Sequence, residues 1–182
     1  MPAKAPHALL LVVDAQRGIV TTAQTRKIAG RIKRLLMKTG GVPVAFTQFQ
    51  NLEGSPYCRF QNWREMMNRN ECAIVPCLAP QAKRIFRKRG YSAVTRPLRQ
   101  YLKDHRVKIV FLCGFDSDCC VTMTAGDLFT LGIRPVVLAH YCASSGGQKY
   151  HTAALRVLER LIGENHILRG SVNLETLLAR EW

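Results

Sequence analysis

Apolar residues run along this chain in two rhythms. Ala8-Leu-Leu-Leu-Val-Val13 is an unbroken apolar run that ends at Asp14, and a run without alternation suits a strand buried on both faces. Thr21 to Lys38 carries Ile28, Ile32, Leu35 and Leu36 at helical spacing among arginines and lysines, and Gly40-Gly41 closes it. An amphipathic helix is expected there. Val42 to Thr47 reads as a second strand. Between Gln48 and Pro80 the pattern is interrupted by Gly54, Pro56, Pro76 and Pro80, with a short helix expected around Trp63 to Asn68. Pro97 suits the first turn of a helix that reaches His105. Val107 to Cys113 is a clear strand, Gly114 follows it, and Cys120 to Leu131 reads as a helix. Ile133 to Leu138 predicts a strand, Gly147 to Ile162 a helix, Ile167-Leu168 a short strand and Val172 to Arg180 a last helix.

Buried strands alternating with amphipathic helices predict a three-layer α/β/α architecture around a mostly parallel, Rossmann-like sheet. No repeat, linker or low-complexity segment divides the 182 residues, so a single domain over 1–182 is expected. Ligands of such sheets bind beyond the carboxyl ends of the strands. Two of those ends carry chemistry, Asp14 after the first strand and Gly114 to Cys120 after the strand at 107–113.

Composition changes this picture little. The chain is 47% hydrophobic and 21% charged, ordinary for a globular protein. Its balance of 27 Lys+Arg against 12 Asp+Glu, net +15, favours anionic partners and predicts a slight preference for acidic substrates. The basic residues concentrate in Arg26–Lys38 and Lys83–Arg89, which read as solvated faces. Zinc-finger spacing, aromatic RNA-binding motifs and a basic zipper are absent, so nucleic acid is not the expected partner. Seven cysteines, an odd number with no Cys-x-x-Cys, point to reduced thiols and a cytoplasmic location. No apolar stretch approaches the ~20 residues that span a bilayer, and Asp14 interrupts the early apolar run that would otherwise suggest a leader.

Among the chemistry-bearing residues, Cys120 stands out. It lies where a helix is expected to start, and there backbone N–H groups and the helix dipole favour a thiolate and can receive an oxyanion. The other cysteines read as small core hydrophobes. Cys119 is expected to point away from whatever pocket Cys120 faces. Asp14 is either a cap for the next segment or a proton acceptor for a thiol, and Lys88 sits in a cationic stretch that would ordinarily be surface.

Three separated blocks bring these residues together: Leu11-Val-Val-Asp-Ala-Gln16, Lys88-Arg-Gly-Tyr-Ser-Ala93 and Cys113-Gly-Phe-Asp-Ser-Asp-Cys-Cys-Val-Thr-Met-Thr-Ala125. In this order the chain resembles the isochorismatase-like cysteine hydrolases, the group that contains nicotinamidases and N-carbamoylsarcosine amidase. The likeness runs over roughly residues 8 to 165.

The resemblance implies Cys120 as nucleophile, Asp14 as general base and Lys88 as the ammonium that steadies thiolate and carboxylate. It implies a cis peptide at Phe115–Asp116, with the Asp116 and Cys120 N–H groups aimed at the oxyanion. It implies cleavage of a small amide or ureido substrate through a thioester, without a cofactor, by a homo-oligomer. Gln16, Phe49, Trp63 and Tyr91 are candidate substrate-binding residues, beside Tyr57.

Departures from the family pattern bear on the substrate. Nicotinamidases carry an Asp-x-His metal cluster where this chain has Thr47-Gln-Phe-Gln-Asn-Leu-Glu53, and the five histidines lack ligand spacing. No bound metal is therefore expected. Asp116-Ser117 replaces the usual Ala-Thr, and Asp118 adds a second acid close to the thiol. Alternatives are vinyl ether hydrolysis as in isochorismatases, which lack the cysteine, and a non-catalytic or nucleic-acid-binding protein on the same scaffold.

Overall fold

The computed structural model describes residues 7–180. Six parallel strands form one sheet in the order β3-β2-β1-β4-β5-β6. They are β1 (Ala8–Val13), β2 (Val44–Phe49), β3 (Ile85–Lys88), β4 (Ile109–Gly114), β5 (Arg134–Cys142) and β6 (Ile167–Leu168). The helices are α1 (Ala23–Leu36), α2 (Pro56–Gln61), α3 (Arg69–Cys72), α4 (Arg96–Asp104), α5 (Thr122–Thr130), α6 (Gln148–Ile162) and α7 (Leu174–Leu178). The sheet is wholly parallel, with one isolated antiparallel bridge, Gln16 to Ile74, outside it.

The unbroken apolar run makes β1 the central strand. Every residue from Ala8 to Val13 is buried, which requires cover on both faces of the sheet. Helix α1 lays Ile28, Ile32, Leu35 and Leu36 against β4 and β5, while Arg26, Lys27, Lys33 and Arg34 face solvent. Its start is fixed by a reciprocal Thr22–Thr25 capping box. The expected basic face is thus the outer side of a core helix. Among the described residues no helix is long and apolar enough to cross a membrane.

Sheet order places the site. From β1 the chain winds outward through β2 and β3, returns to β4 on the other side of β1, and winds outward again through β5 and β6. The reversal leaves a crevice at the carboxyl ends of β1 and β4, where helices diverge to opposite faces. Gly114 closes β4 there at φ 115°, and a Cβ on it would lie 2.1 Å from the Val13 carbonyl oxygen. Only glycine allows so close an approach of the two strand ends.

Three local expectations need correction. Trp63 to Asn68 is not helical; α2 precedes it and α3 follows. Ser55 caps α2 by accepting from Cys58 N, Pro56 fills its first turn, and Asn62 ends it in the left-handed region at φ 50°. Lys83–Arg89 is not a plain surface stretch, because it contains β3, whose Phe86 and Lys88 point inward and whose Ile85 and Arg87 point outward. Finally, the residues before α5 form a π-helical turn, Ser117–Val121, rather than its first turn.

Candidate active site

Asp14 follows β1 directly, Lys88 ends β3, and Cys120 rides on the π-helical turn that leads from β4 into α5. The strand ends bring all three together. Lys88 pairs in register with Phe49, and its side chain crosses that ring with Nζ 5.2 Å from the centroid. It then lies 2.7 Å from Asp14 Oδ2 and donates to Cys120 Sγ at 3.2 Å. Nζ also donates to the carbonyls of Gly90 at 2.9 Å and Tyr91 at 2.8 Å. Four acceptors thus surround an ammonium with three N–H bonds.

Asp14 is fully buried and sits at φ 46°, a left-handed conformation that Asp tolerates better than most residues. Thr47 holds it there. The Thr47 hydroxyl donates to Asp14 Oδ1 at 2.6 Å and accepts from the Asp14 backbone N–H at 3.0 Å. Thr124 fixes the other side: its hydroxyl donates to the Cys120 carbonyl at 2.6 Å and accepts from Ala93 N–H at 2.9 Å. The nucleophile's turn is thereby tied to the segment that follows Lys88.

Burying an isolated charge is costly, and the close Asp14–Lys88 pair offsets that cost for both partners. Burial works to lower the Lys88 pKa, but Asp14 first and Cys120 second outweigh it and the net shift is upward. The sulfur behaves differently. Burial above all, then the Asp14 charge, pushes the Cys120 thiol well above its ordinary value, with Lys88 opposing both. The helix-start argument predicts a lowered value; desolvation and the neighbouring carboxylate win instead. The thiol thus sits with a buried carboxylate and an ammonium at hand.

A cavity of about 510 Å³ opens over Cys120, within the size range of small-molecule sites. Phe49, Tyr57, Trp63 and Tyr91 form one continuous aromatic wall, with successive ring centroids 5.1 to 6.0 Å apart. Phe49, Trp63 and Tyr91 are therefore at the pocket as the sequence suggests. Gln16 is not. Its amide is fully spent inside the fold, donating to the carbonyls of Phe49 and Cys72 at 2.8 Å each and accepting from Phe49 N–H at 2.8 Å. It staples the end of β2 to the end of α3.

Cys119 lines the cavity beside Cys120, contrary to the expectation that the two diverge. The cavity is broad enough to meet adjacent residues of the turn. Burial and the nearby Asp118 and Asp116 raise the Cys119 thiol to about 11. Asp116 is also in the wall, its carboxylate accepting from Ser145 N–H at 2.6 Å and Ser145 Oγ at 2.7 Å. The Phe115–Asp116 peptide is cis.

Sequence reasoning missed Thr47, Ser145 and Glu65. Thr47 carried a signal, being a hydroxyl at an inward position between apolar neighbours on β2, whereas Ser145 and Glu65 lie in irregular segments without one. As for metal, no three His, Cys, Asp or Glu side chains converge among the described residues. Gln48 and Glu53 in the segment after β2 are engaged with the Cys72 carbonyl and with Arg64. These residues do not fit a bound zinc.

Comparisons with known proteins bear on the family and the fold. An isochorismatase domain model matches residues 8–165. The pyrazinamidase of Pyrococcus horikoshii, solved in complex with zinc, superposes with a TM-score of 0.77 at 22% identity, covering 92% of this chain and 100% of that one. The pyrazinamidase/nicotinamidase of Streptococcus mutans UA159 gives 0.72 at 25% identity, over 86% and 97%. N-Carbamoylsarcosine amidase from Thermoplasma acidophilum gives 0.72 at 22% identity, over 83% and 92%. No curated protein sequence matches.

Proposed function

Because the chain belongs to the isochorismatase family, we propose that it is a cysteine hydrolase that cleaves a non-peptide C–N bond of a small amide or ureide. The observation that carries this reading is the Lys88 ammonium, 2.7 Å from the Asp14 carboxylate and 3.2 Å from the Cys120 sulfur at the floor of a cavity. An acid, an ammonium and a thiol gathered from three strand ends exceed what packing requires.

The chemistry follows from the charges. Asp14 takes the proton of the Cys120 thiol, and Lys88 steadies the sulfur anion that results. The anion attacks the amide carbonyl, whose oxygen acquires the negative charge and is received by the backbone N–H groups of Asp116 and Cys120. As the tetrahedral species collapses, the C–N bond breaks and Asp14 returns its proton to the departing nitrogen, leaving a thioester on Cys120. Water, deprotonated by Asp14, then attacks the thioester; the carboxylic acid leaves and the thiol is restored. A high-pKa thiol suits this scheme, since its proton transfer is coupled to attack rather than completed beforehand.

The test is a panel of amides and ureides with ammonia release as the readout, run on the parent protein and on Cys120→Ala. The parent should release ammonia from at least one class, and the variant should lose that activity by several orders of magnitude. Equal release from both proteins refutes the role of the sulfur.

A further inference from the structure

The charge lining the cavity runs against the charge of the whole chain. A protein with 27 Lys+Arg and 12 Asp+Glu is expected to surround its pocket with cations. Instead, the residues that line the cavity over Cys120 include two acids, Asp116 and Glu65, and no Lys, Arg or His. Lys88 does not alter this balance. It lies behind the sulfur, 3% exposed, and its donors are taken by Asp14, Cys120 and the carbonyls of Gly90 and Tyr91.

We propose that the pocket selects amides that carry a positively charged nitrogen away from the scissile carbonyl, held by Asp116 and Glu65 against the ring faces of Phe49, Tyr57, Trp63 and Tyr91. The inference rests on the hydrolase reading for the identity of the scissile bond, and on the cavity alone for the charge. A preference for acidic substrates, expected from net charge, is therefore reversed at the site.

Three observations support it independently. First, the Asp116 carboxylate is oriented by two hydrogen bonds from Ser145, both on the same residue, and this fixes where a cation would sit. Second, burial and the nearby Asp118 and Asp14 work against its charge and bring its pKa up to about 6, so a cationic partner relieves an existing penalty. Third, the four rings form a single wall, and the ring of Phe49 already lies against a cation, the Lys88 ammonium at 5.2 Å from its centroid. An anionic substrate would meet two carboxylates and electron-rich rings, with no Lys, Arg or His among the described lining residues to offset them.

The probes are three amides of similar size: trimethylammonioacetamide, its neutral isostere 3,3-dimethylbutanamide, and succinamate as the anion. Equilibrium binding to Cys120→Ala is measured by calorimetry, so that no turnover intervenes. The cation should bind about 10- to 100-fold more tightly than the neutral isostere, from a desolvated cation–π contact together with attraction to the carboxylates, and succinamate should bind least. Adding Asp116→Asn should bring cation and neutral isostere to within about threefold. Glu65→Gln, at an exposed position, should narrow the gap without disturbing Ser145.

Neutral or anionic amide binding as tightly as the cation overturns the inference, as does no measurable binding of the cation, or a preference unchanged in both acid variants. Ammonia release from the parent separates the two readings. Selective cation binding with no ammonia from any probe upholds the pocket assignment and removes the hydrolase. Equal ammonia release from all three keeps the hydrolase and removes the pocket assignment.

Discussion

Replacing Lys88 with Met keeps most of the side chain's length and removes its charge. The ammonium lies 3.2 Å from the Cys120 sulfur, and opposite charges at that distance attract by about 5 kcal/mol at an effective dielectric near 20. Losing that attraction would raise the thiol pKa further. Part of that is returned. Relaxation of the groups around the vacated ammonium site offsets some of the loss. The expected outcome is alkylation of Cys120 by iodoacetamide, followed by mass spectrometry at neutral pH, slowed about 100- to 1,000-fold. Breaking the buried pair also costs about 3–5 kcal/mol of stability, a fall in Tm of about 10 °C for a chain of this size. The double variant Asp14→Asn/Lys88→Met separates the two effects. With no orphaned charge its Tm should recover, while alkylation stays slow because the ammonium is still missing. A folded Lys88→Met protein that alkylates within about threefold of the parent rate would show that Lys88 does not stabilise the thiolate, and the proposed chemistry would lose its cation.

Other expectations follow from single contacts. Thr47→Val strips Asp14 of a hydroxyl that serves both its carboxylate and its N–H; urea unfolding should show a loss of about 2–4 kcal/mol, and an unchanged midpoint would discount this contact. Gly114→Ala places a Cβ 2.1 Å from the Val13 carbonyl at φ 115°, so the variant should lose most of its soluble yield and melt far below the parent, whereas a normal melt would mean the strand ends can separate. Asp116, raised from 3.8 to about 6, is charged above that pH. The ratio of cationic to neutral amide turnover should therefore be flat at neutral pH and fall as pH drops through about 6. For stability the sign is opposite, since a raised folded pKa makes the charge a penalty above that window and relieves it on acidification. A turnover ratio that does not change with pH would remove Asp116 from selection.

The β1 and β4 strands were legible because an unbroken apolar run has few other uses, and Asp14 and Gly114 stand out at their ends. Cys120 was visible through its place after a strand, but the state of its thiol was not. Position in a turn is read from sequence, whereas desolvation depends on what the fold lays over it. Lys88 was hidden among Lys83, Arg84, Arg87 and Arg89, which are exposed, while it is not. The only local trace is the inward alternation of Phe86 and Lys88 on β3. Gln16 was misjudged because it lies two residues after Asp14, yet its amide is engaged with backbone groups of two distant segments. The charge of the cavity lining was not legible for a related reason. Net charge is a sum over the surface, and a pocket of a dozen or so residues need not resemble the sum.

Two of the groups around the Lys88 ammonium are main-chain carbonyls, and one belongs to Tyr91, whose ring forms part of the aromatic wall. The same cation therefore anchors the backbone of the aromatic wall and donates to the Cys120 sulfur. Side-chain substitution at positions 90 and 91 leaves those oxygens in place, so the ring can be exchanged for a new specificity while the anchor persists. A substitution that instead shifts the backbone there, such as proline at 91, would draw the ammonium away from the sulfur as well. Evolution or design at this loop should find changes of ring chemistry cheap and changes of loop path expensive, because the second kind disturbs reactivity and selectivity together.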